Sequence, residues 1–431
     1  MKSVMNGRRV VVVDGRRTPF ARSGTAFADL TAYDLGRQAV AGLLHRAPVE
    51  PRDVDLLVMG TVLQDPATSN VAREVGLASG LPASVPAFTV TVACVSANLA
   101  ILSAANAIAL GQADVAIAGG TDTLSDAPIR VSRNVRKHLM AGQKSRGLTG
   151  LLGMARGLKL RDLAPEVPAI ADFSTGLSMG QNAERLAKRL GITRADQDAY
   201  ALRSHQRAAG AAGKGYFADQ IVPVYAPPAL KAVEADNGIR SDSNCEKMAS
   251  LKPAFDRSFG SVTAANSSFL TDGASAVLLM SEERAEAKGI KPLAVLRAVS
   301  TTAMDPLDEL LLGPAFAIPG ALEQAGVSPA DVGVWEIHEA FAAQMLAVLK
   351  LLEDDRFARE RLGMDKALGA IDPETLNAWG GSLSIGHPFG ATGGRLVTTC
   401  CRRMEREGVR FGVVAACAAG AVGNAIVLER V

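Results

Sequence analysis

Two stretches far apart in the chain follow one plan, and that repetition limits the fold more than any single motif. Pro51-Arg-Asp-Val-Asp-Leu-Leu-Val-Met-Gly60 reads as a helix-starting turn feeding a strand, and Pro329-Ala-Asp-Val-Gly-Val-Trp-Glu-Ile-His338 has the same layout. The helix expected after Cys94 has a counterpart after His387, and the buried strand ending at Gly119-Gly120 has one at Val413–Cys417. One matched dipeptide would mean little. Several elements agreeing in order point to two copies of one α/β unit.

Within the first copy, Val10–Val13 is a strand, 32–45 a helix, 69–80 a helix and 86–93 a buried strand, with Ala113–Gly120 completing the set. Strands alternating with helices argue for layers built on a mostly parallel sheet. From Asp126 to Leu251 the β-runs vanish and amphipathic helices take over, at Met179–Leu190 and from Arg194, where Thr193-Arg-Ala-Asp196 is a capping box. The strand pattern returns at Ala274–Met280. A chain of 431 residues exceeds one ordinary core. The division expected is 1–125 plus 255–288 as a first half, 126–254 as an inserted, mainly helical loop domain, and 289–431 as a second half. Residues 350–376 should form a surface helix pair.

Composition narrows the function. A net charge of +2 gives no reason to expect nucleic acid as a partner. Five cysteines at irregular spacing (94, 245, 400, 401, 417) make neither a disulfide framework nor a zinc site, so no metal is expected and a reducing, cytoplasmic setting is. Arg8-Arg-Val-Val-Val-Val-Asp14 is too short for a signal segment, and no run is long and apolar enough to span a bilayer.

Cys94 stands where the 86–93 strand hands over to a helix running from Ser96 to about Leu110. Unpaired N–H groups and the helix dipole at such a junction favour a thiolate. A cysteine taken alone is more often a small buried residue. Its company decides otherwise. His338-Glu-Ala-Phe-Ala-Ala-Gln344 begins where a strand ends, and Gly380-Gly-Ser-Leu-Ser-Ile-Gly-His387-Pro-Phe-Gly-Ala-Thr-Gly-Gly394 surrounds a histidine with glycine. Ala415-Ala-Cys417-Ala-Ala-Gly-Ala-Val-Gly423 ends a strand in a second cysteine. If the copies pack back to back, Cys94, His338, His387 and Cys417 converge, and a thiol nucleophile needs a base within reach.

With those motifs quoted, the chain resembles the thiolases over essentially its whole length. Arg17-Thr-Pro-Phe20, Ala118-Gly-Gly-Thr-Asp122, Ser178-Met-Gly180 and Thr263–Gly273 add to the likeness. His338 stands where many thiolases have Asn, and with Asp236-Asn-Gly-Ile-Arg-Ser-Asp242 this form is similar to the β-subunits of fatty-acid-oxidation trifunctional complexes. The resemblance implies a duplicated α/β/α/β/α layered fold and a 3-ketoacyl-CoA thiolase activity, with coenzyme A as substrate and no permanently bound cofactor. It implies that Cys94 takes the acyl group of a 3-oxoacyl-CoA, that His387 is its base, and that Cys417 protonates the acetyl-CoA enolate. His338 would help hold the enolate oxygen, and the backbone N–H groups of Cys94 and Ala419 the acyl-enzyme oxyanion. Ser268 and Met179 would touch the pantetheine arm. A homodimer or tetramer follows from the same likeness.

The alternatives are an acetyl-CoA acetyltransferase running the condensation, another condensing enzyme of this fold, and a non-catalytic lipid-carrier subunit. Cys417, a second cysteine placed as acid/base, speaks for a thiolase over the other condensing enzymes. A last feature lies outside the motifs. Nine basic residues between Asp126 and Asp162 (Arg130, Arg133, Arg136, Lys137, Lys144, Arg146, Arg156, Lys159, Arg161) are interrupted by no acid, and apolar residues cluster at 148–160. A solvated face usually carries both signs. The segment 130–161 is therefore expected either to cover an acyl chain or to dock on a membrane surface or a hydratase/dehydrogenase subunit.

Overall fold

The computed structural model describes residues 2–3, 7–142, 158–166 and 171–431. Strands and helices alternate through the first copy: β1 (Val10–Arg17), α1 (Ala32–Arg46), β2 (Leu56–Gly60), α2 (Val71–Ala78), β3 (Ala87–Val90), α3 (Ser96–Ala109) and β4 (Val115–Asp122). Helices α4 (Arg133–Gly142), α5 (Met179–Leu190) and α6 (Arg194–Gly213) follow, and β5 (Thr271–Ser281) closes the copy. The second copy runs β6 (Ala294–Ala303), α7 (Gly313–Ala325), β7 (Val332–Ile337), α8 (Ala342–Leu352), α9 (Ser382–Ile385), α10 (Thr392–Glu407), β8 (Phe411–Ala418) and β9 (Val422–Arg430).

Hydrogen bonds join these strands in the order β7-β8-β9-β6-β1-β5-β4-β2-β3. The two halves mirror each other about the short antiparallel join of β1 to β6 at Val11–Val12 and Ala294–Val295. On one side β1 pairs antiparallel with β5, β5 antiparallel with β4, and β4 parallel with β2. On the other, β6–β9, β9–β8 and β8–β7 repeat those three senses. The partner of β3 in the second copy shrinks to one parallel bridge, Trp335 to Leu376.

The period of two along each strand supplies the layers. Leu57, Ile117 and Leu278 face α1 and α2 with Leu35, Val40 and Val75. Their neighbours Val58, Ala116 and Val277 face α3 and α10, where they meet Ile101, Leu396 and Val397 and, from the other half, Val414 and Ile426. Val413 and Val427 turn outward to α7 and α8. Helices α3 and α10 are thus buried between the two halves of the sheet, and the layering is α/β/α/β/α. Helices α5 and α6 lie against α8, and α6 also against α9. Among the described residues no helix is long and apolar enough to cross a membrane.

Three expectations need correction. The sheet is not mostly parallel: five of the eight joins along its strand order are antiparallel, because β5 and β9 run back between strands that helices connect in parallel. The 86–93 strand is not buried: it spans only Ala87–Val90 at a sheet edge, with Phe88 42% exposed. Its apolar pattern matches a strand with one neighbour as well as one with two. Residues 350–376 do not form a helix pair. One helical turn at Asp355–Phe357 continues as a π-helix over Ala358–Leu362, and the chain then extends to the bridge at Leu376. Of the basic segment, 143–157 lie outside the described residues. In the part described, Arg130 and Glu166 exchange backbone hydrogen bonds and Arg136 sits 3.5 Å from Glu166, so an acid just past the run meets part of its charge.

Candidate active site

Cys94 sits on a tight elbow. After β3 the chain bridges Val92 to Cys94, with Ala93 at φ 44, the left-handed region that costs a non-glycine residue of order 1–3 kcal/mol. Ser96 holds the turn: its Oγ accepts from Val92 N–H at 2.8 Å and donates to the Ala93 carbonyl at 2.7 Å. The sulfur is therefore presented just before α3. Burial pushes its thiol up to about 12, while the N–H groups of Ala419 and of Cys94 itself pull the other way and the Asp122 charge adds to the rise. The thiolate expected from the helix end is thus not the resting form. Desolvation outweighs the dipole.

The histidines come from the other half. His338 follows the last residue of β7, and its N–H donates to the Ala415 carbonyl of β8 at 2.8 Å. Next to it, buried Glu339 accepts from Ser204 Oγ (2.7 Å), Asn377 Nδ2 (2.8 Å), Tyr200 OH (3.2 Å) and Leu383 N–H (3.2 Å). These bonds fold the Gly381–Gly386 turn over the end of β7. A side chain at Gly381 would collide with the Glu339 carboxylate.

His387 leaves that turn with its N–H on Thr271 Oγ1 of β5 at 3.0 Å, and the loop beyond it is anchored by Gly390 N–H to Asp122 at 2.5 Å. Asp122 also accepts from Val62 and Leu63 N–H at 3.1 and 2.9 Å. A Cβ on Gly120 would strike the Gly390 carbonyl, so that strand glycine lets the loop sit down. Pro388 forms the turn before the next helix, since α10 starts at Thr392.

The two rings stack at 4.0 Å between centroids and 39° between planes. Cys94 Sγ and one nitrogen of each ring lie within 4.8 Å of one another. By type these are soft-metal donors, and equally a nucleophile with a base and a hydrogen-bond donor. His338 Nδ1 is 2.8 Å from Ser382 Oγ and His387 Nδ1 is 2.6 Å from Thr392 Oγ1. Both Nε2 atoms are buried without a partner among the described residues. Burial and the Arg395 charge drive His387 down to about 3. Burial, His387 and Arg395 hold His338 well below the usual imidazole range. Both rings are neutral at pH 7.

Cys417 is buried near the end of β8, opposite Gly423 of β9; burial and the neighbouring Cys94 push its thiol far up. The turn that follows carries Ala419 and positive φ at Gly420 and Ala421, and Gly420 N–H donates to Asp172 at 3.2 Å. Four side chains of the sequence reading, Cys94, His338, His387 and Cys417, therefore share one place. Ser268 is nearby through its N–H on the Ala340 carbonyl at 3.0 Å. Met179 is half-buried at the start of α5, packed on the second-half core. Sequence reasoning missed Ser382, Thr392, Glu339, Asp122 and Arg395. It also missed a pocket of about 340 Å³ lined by Arg22, Arg240, Lys247, Asp242, Phe269 and Leu383, next to the Ser382 turn.

This electrostatics sets an acid limit. His387 near 3 and His205, lowered to about 4 by burial, bind protons less readily folded than unfolded, so their stabilisation holds above pH 6.5 and is lost as pH falls below it. From pH 7 to pH 4 they remove about 3 kcal/mol each, and Asp122, raised to about 6 by burial, returns about 2. These three groups together give a loss of about 4 kcal/mol, and His338, also held well below the usual range, adds to it. An unchanged urea midpoint at pH 4 would contradict it.

Comparison with known proteins agrees with this arrangement. The family model for the thiolase N-terminal domain matches residues 10–283, and that for the thiolase C-terminal domain matches 290–430. The chain is 50% identical over 424 residues to the mitochondrial trifunctional enzyme subunit beta of Bos taurus, covering 98% of this chain and 89% of that one. It is 47% identical over 423 residues to a 3-ketoacyl-CoA thiolase of Yersinia pestis (strain Pestoides F), covering 98% and 97%. Among solved structures, the acetyl-CoA acetyltransferase of Bacillus anthracis superposes with a TM-score of 0.85 at 34% identity, over 99% of both chains. Human mitochondrial 3-ketoacyl-CoA thiolase in complex with CoA gives 0.84 at 32%, over 100% and 99%. Two matched halves, with a cysteine of one facing two histidines and a cysteine of the other, make this chain a member of the thiolase family.

Proposed function

We propose that this protein is a 3-ketoacyl-CoA thiolase, an acyltransferase that cleaves 3-oxoacyl-CoA with coenzyme A in fatty-acid β-oxidation. The observation that carries the reading is the Cys94 sulfur within 4.8 Å of two histidine nitrogens, with Cys417 buried beside it. Cys94 attacks the 3-keto carbon as its proton passes to His387 Nε2. The Cα–Cβ bond breaks, the acyl group stays on Cys94 as a thioester, and its electron pair leaves on the acetyl-CoA enolate. Cys417 protonates that enolate, whose oxygen is met by His338, directly or through a water. The proton on His387 passes to the Cys417 thiolate, and in the second half coenzyme A gives its own proton to the freed His387, its sulfur takes the acyl group, and that proton returns to the departing Cys94 thiolate. The N–H groups of Cys94 and Ala419, already at the sulfur, stabilise the oxyanion in both acyl transfers. Because the free enzyme holds a neutral thiol and a neutral ring, the proton moves with the attack and not before it.

The Arg22–Arg240 pocket suits the phosphates of coenzyme A. Arg22 lies over the Phe269 ring at 4.6 Å, and the Arg240 charge is shared with Asp242 of the same pocket. The reaction needs no resident cofactor. Thiolysis is tested by following 3-oxoacyl-CoA to acetyl-CoA and an acyl-CoA two carbons shorter. Arg240→Ala is expected to raise KM for coenzyme A about tenfold, in line with the loss of one charge-assisted contact, with kcat little changed. Absence of CoA-dependent cleavage at every chain length would overturn the reading.

Three further proposals rest on surfaces and thiols. The open edge of β3 with exposed Phe88 fits a homodimer, tested by light scattering of Phe88→Asp. Arg133, Arg136 and Lys137 on α4, beside exposed Ile129, Leu139, Met140 and Leu160, fit docking on a hydratase/dehydrogenase subunit or an anionic membrane, tested by co-purification and vesicle flotation of a variant carrying Arg133→Glu and Lys137→Glu. Free cysteines, the nucleophile among them, fit a reducing compartment such as the cytoplasm, tested by fractionation of the source cells.

A further inference from the structure

The hydroxyls behind the two rings assign them opposite tautomers. Thr392 Oγ1 donates its proton to the Pro388 carbonyl at 3.0 Å. That leaves its oxygen to accept from His387 Nδ1 at 2.6 Å, the arrangement that a base at Nε2 requires. His387 therefore carries its hydrogen on Nδ1 and offers a lone pair at Nε2.

Behind His338 the direction reverses. Ser382 Oγ accepts from Arg395 Nη2 at 3.0 Å, and a guanidinium has no lone pair with which to accept in return. The other recorded side-chain partner of Ser382 is His338 Nδ1 at 2.8 Å. The serine proton finds its acceptor there, which leaves the His338 hydrogen on Nε2. The opposite assignment would give the serine oxygen two donors and leave its own proton aimed at nothing in a fully buried site. Arg395 lies 3.6 Å from the Glu336 carboxylate, an ion pair without a hydrogen bond, and Glu336 is held by Arg403 at 2.9 Å, all three buried.

We propose that Ser382, oriented by Arg395, is a positioning residue that sets His338 as an Nε2–H donor while Thr392 sets His387 as an Nε2 acceptor. One stacked pair of histidines thereby supplies both a base for the Cys94 thiol and a donor for the enolate oxygen. The proposal rests on the thiolase reading of the site for its use, though not for its hydrogen-bond geometry. Burial, with the Arg395 charge added to it, supports it by keeping both rings neutral.

Nitrogen-15 labelling of the five histidines, with His338 assigned through His338→Gln, reads the tautomer directly. Wild-type protein is expected to show a protonated Nε2 and a bare Nδ1 on His338, and the reverse on His387. Ser382→Ala should scramble the His338 signal and lower kcat roughly ten- to hundredfold, less than outright loss of an oxyanion donor, with KM for both substrates within about twofold. Ser382→Thr, which keeps the hydroxyl, should restore both. Nδ1–H on wild-type His338, or an unmoved His338 signal in folded Ser382→Ala, would overturn the assignment. The labelling needs no turnover, so a failure of the thiolase reading would show separately, as absent thiolysis with the tautomers in place.

Discussion

Serine in place of Cys94 leaves a folded protein that turns over at least a thousandfold more slowly, the scale expected when an essential nucleophile is lost. The exchange is nearly isosteric. Ser96 still pins the elbow, and the two N–H groups at the sulfur can bond an oxygen equally well. What changes is the chemistry. The Cys94 thiol already lies near 12 through burial, and an alcohol in the same site is harder to ionise and poorer at attacking a carbonyl. His387, held near 3, is too weak a base to compensate. Two measurements check this: thiolysis by the variant, and the mass of protein exposed to acyl-CoA, which should show an acyl adduct in the wild type alone. Retention of more than about a hundredth of wild-type turnover would mean that Cys94 is not the nucleophile, since that is far less than such a loss removes.

The four reacting side chains were legible because each occupies a position that a one-dimensional pattern can mark. Cys94, His338 and Cys417 stand at or beside the end of an apolar strand run, and His387 is marked by the glycines around it. The layered architecture was legible for the same reason, since strand period and helix length survive in sequence. The state of Cys94 was not. Its helix end can be read from residues 94–110, but the burial that outweighs it, the Asp122 charge that adds to it and the Ala419 N–H that opposes it come from parts of the chain far away. The hydrogen bonds that set the tautomers were equally hidden. Ser382 is one serine in a glycine-rich turn, and only the fold brings it between Arg395 and His338. Arg22 and Arg240 join in one pocket only after the inserted segment has folded back over the first half. The edge position of β3 was obscured because Ala87–Val90 would look alike with one sheet neighbour or two.

Cys417→Ala should separate two half-reactions that Cys94→Ser stops together. In the proposed scheme Cys417 touches only the Cα proton, leaving with it when acetyl-CoA is ionised and returning it when the enolate is quenched. Exchange of the acetyl-CoA α-proton with deuterated solvent should therefore fall by roughly a hundred- to ten-thousandfold, the contribution usual for a positioned acid/base. Acylation of Cys94 by a preformed acyl-CoA needs no carbon acid and should stay within a few fold of wild type. The cavity left by one sulfur in a fully buried strand costs about 1–2 kcal/mol, too little to unfold a chain of this size. His387→Ala provides the contrast. Its Nε2 serves both the Cys94 thiol and the incoming coenzyme A, so acylation and thiolysis should fall together. Deuterium incorporation followed by mass spectrometry, alongside adduct formation on Cys94, reads the two half-reactions in one preparation. Equal loss of exchange and acylation in Cys417→Ala would place that cysteine in the packing of the β8–β9 turn, and the proton would need another carrier. Normal exchange in Cys417→Ala, with acylation lost in His387→Ala, would shift the carbon-acid step to the histidine pair.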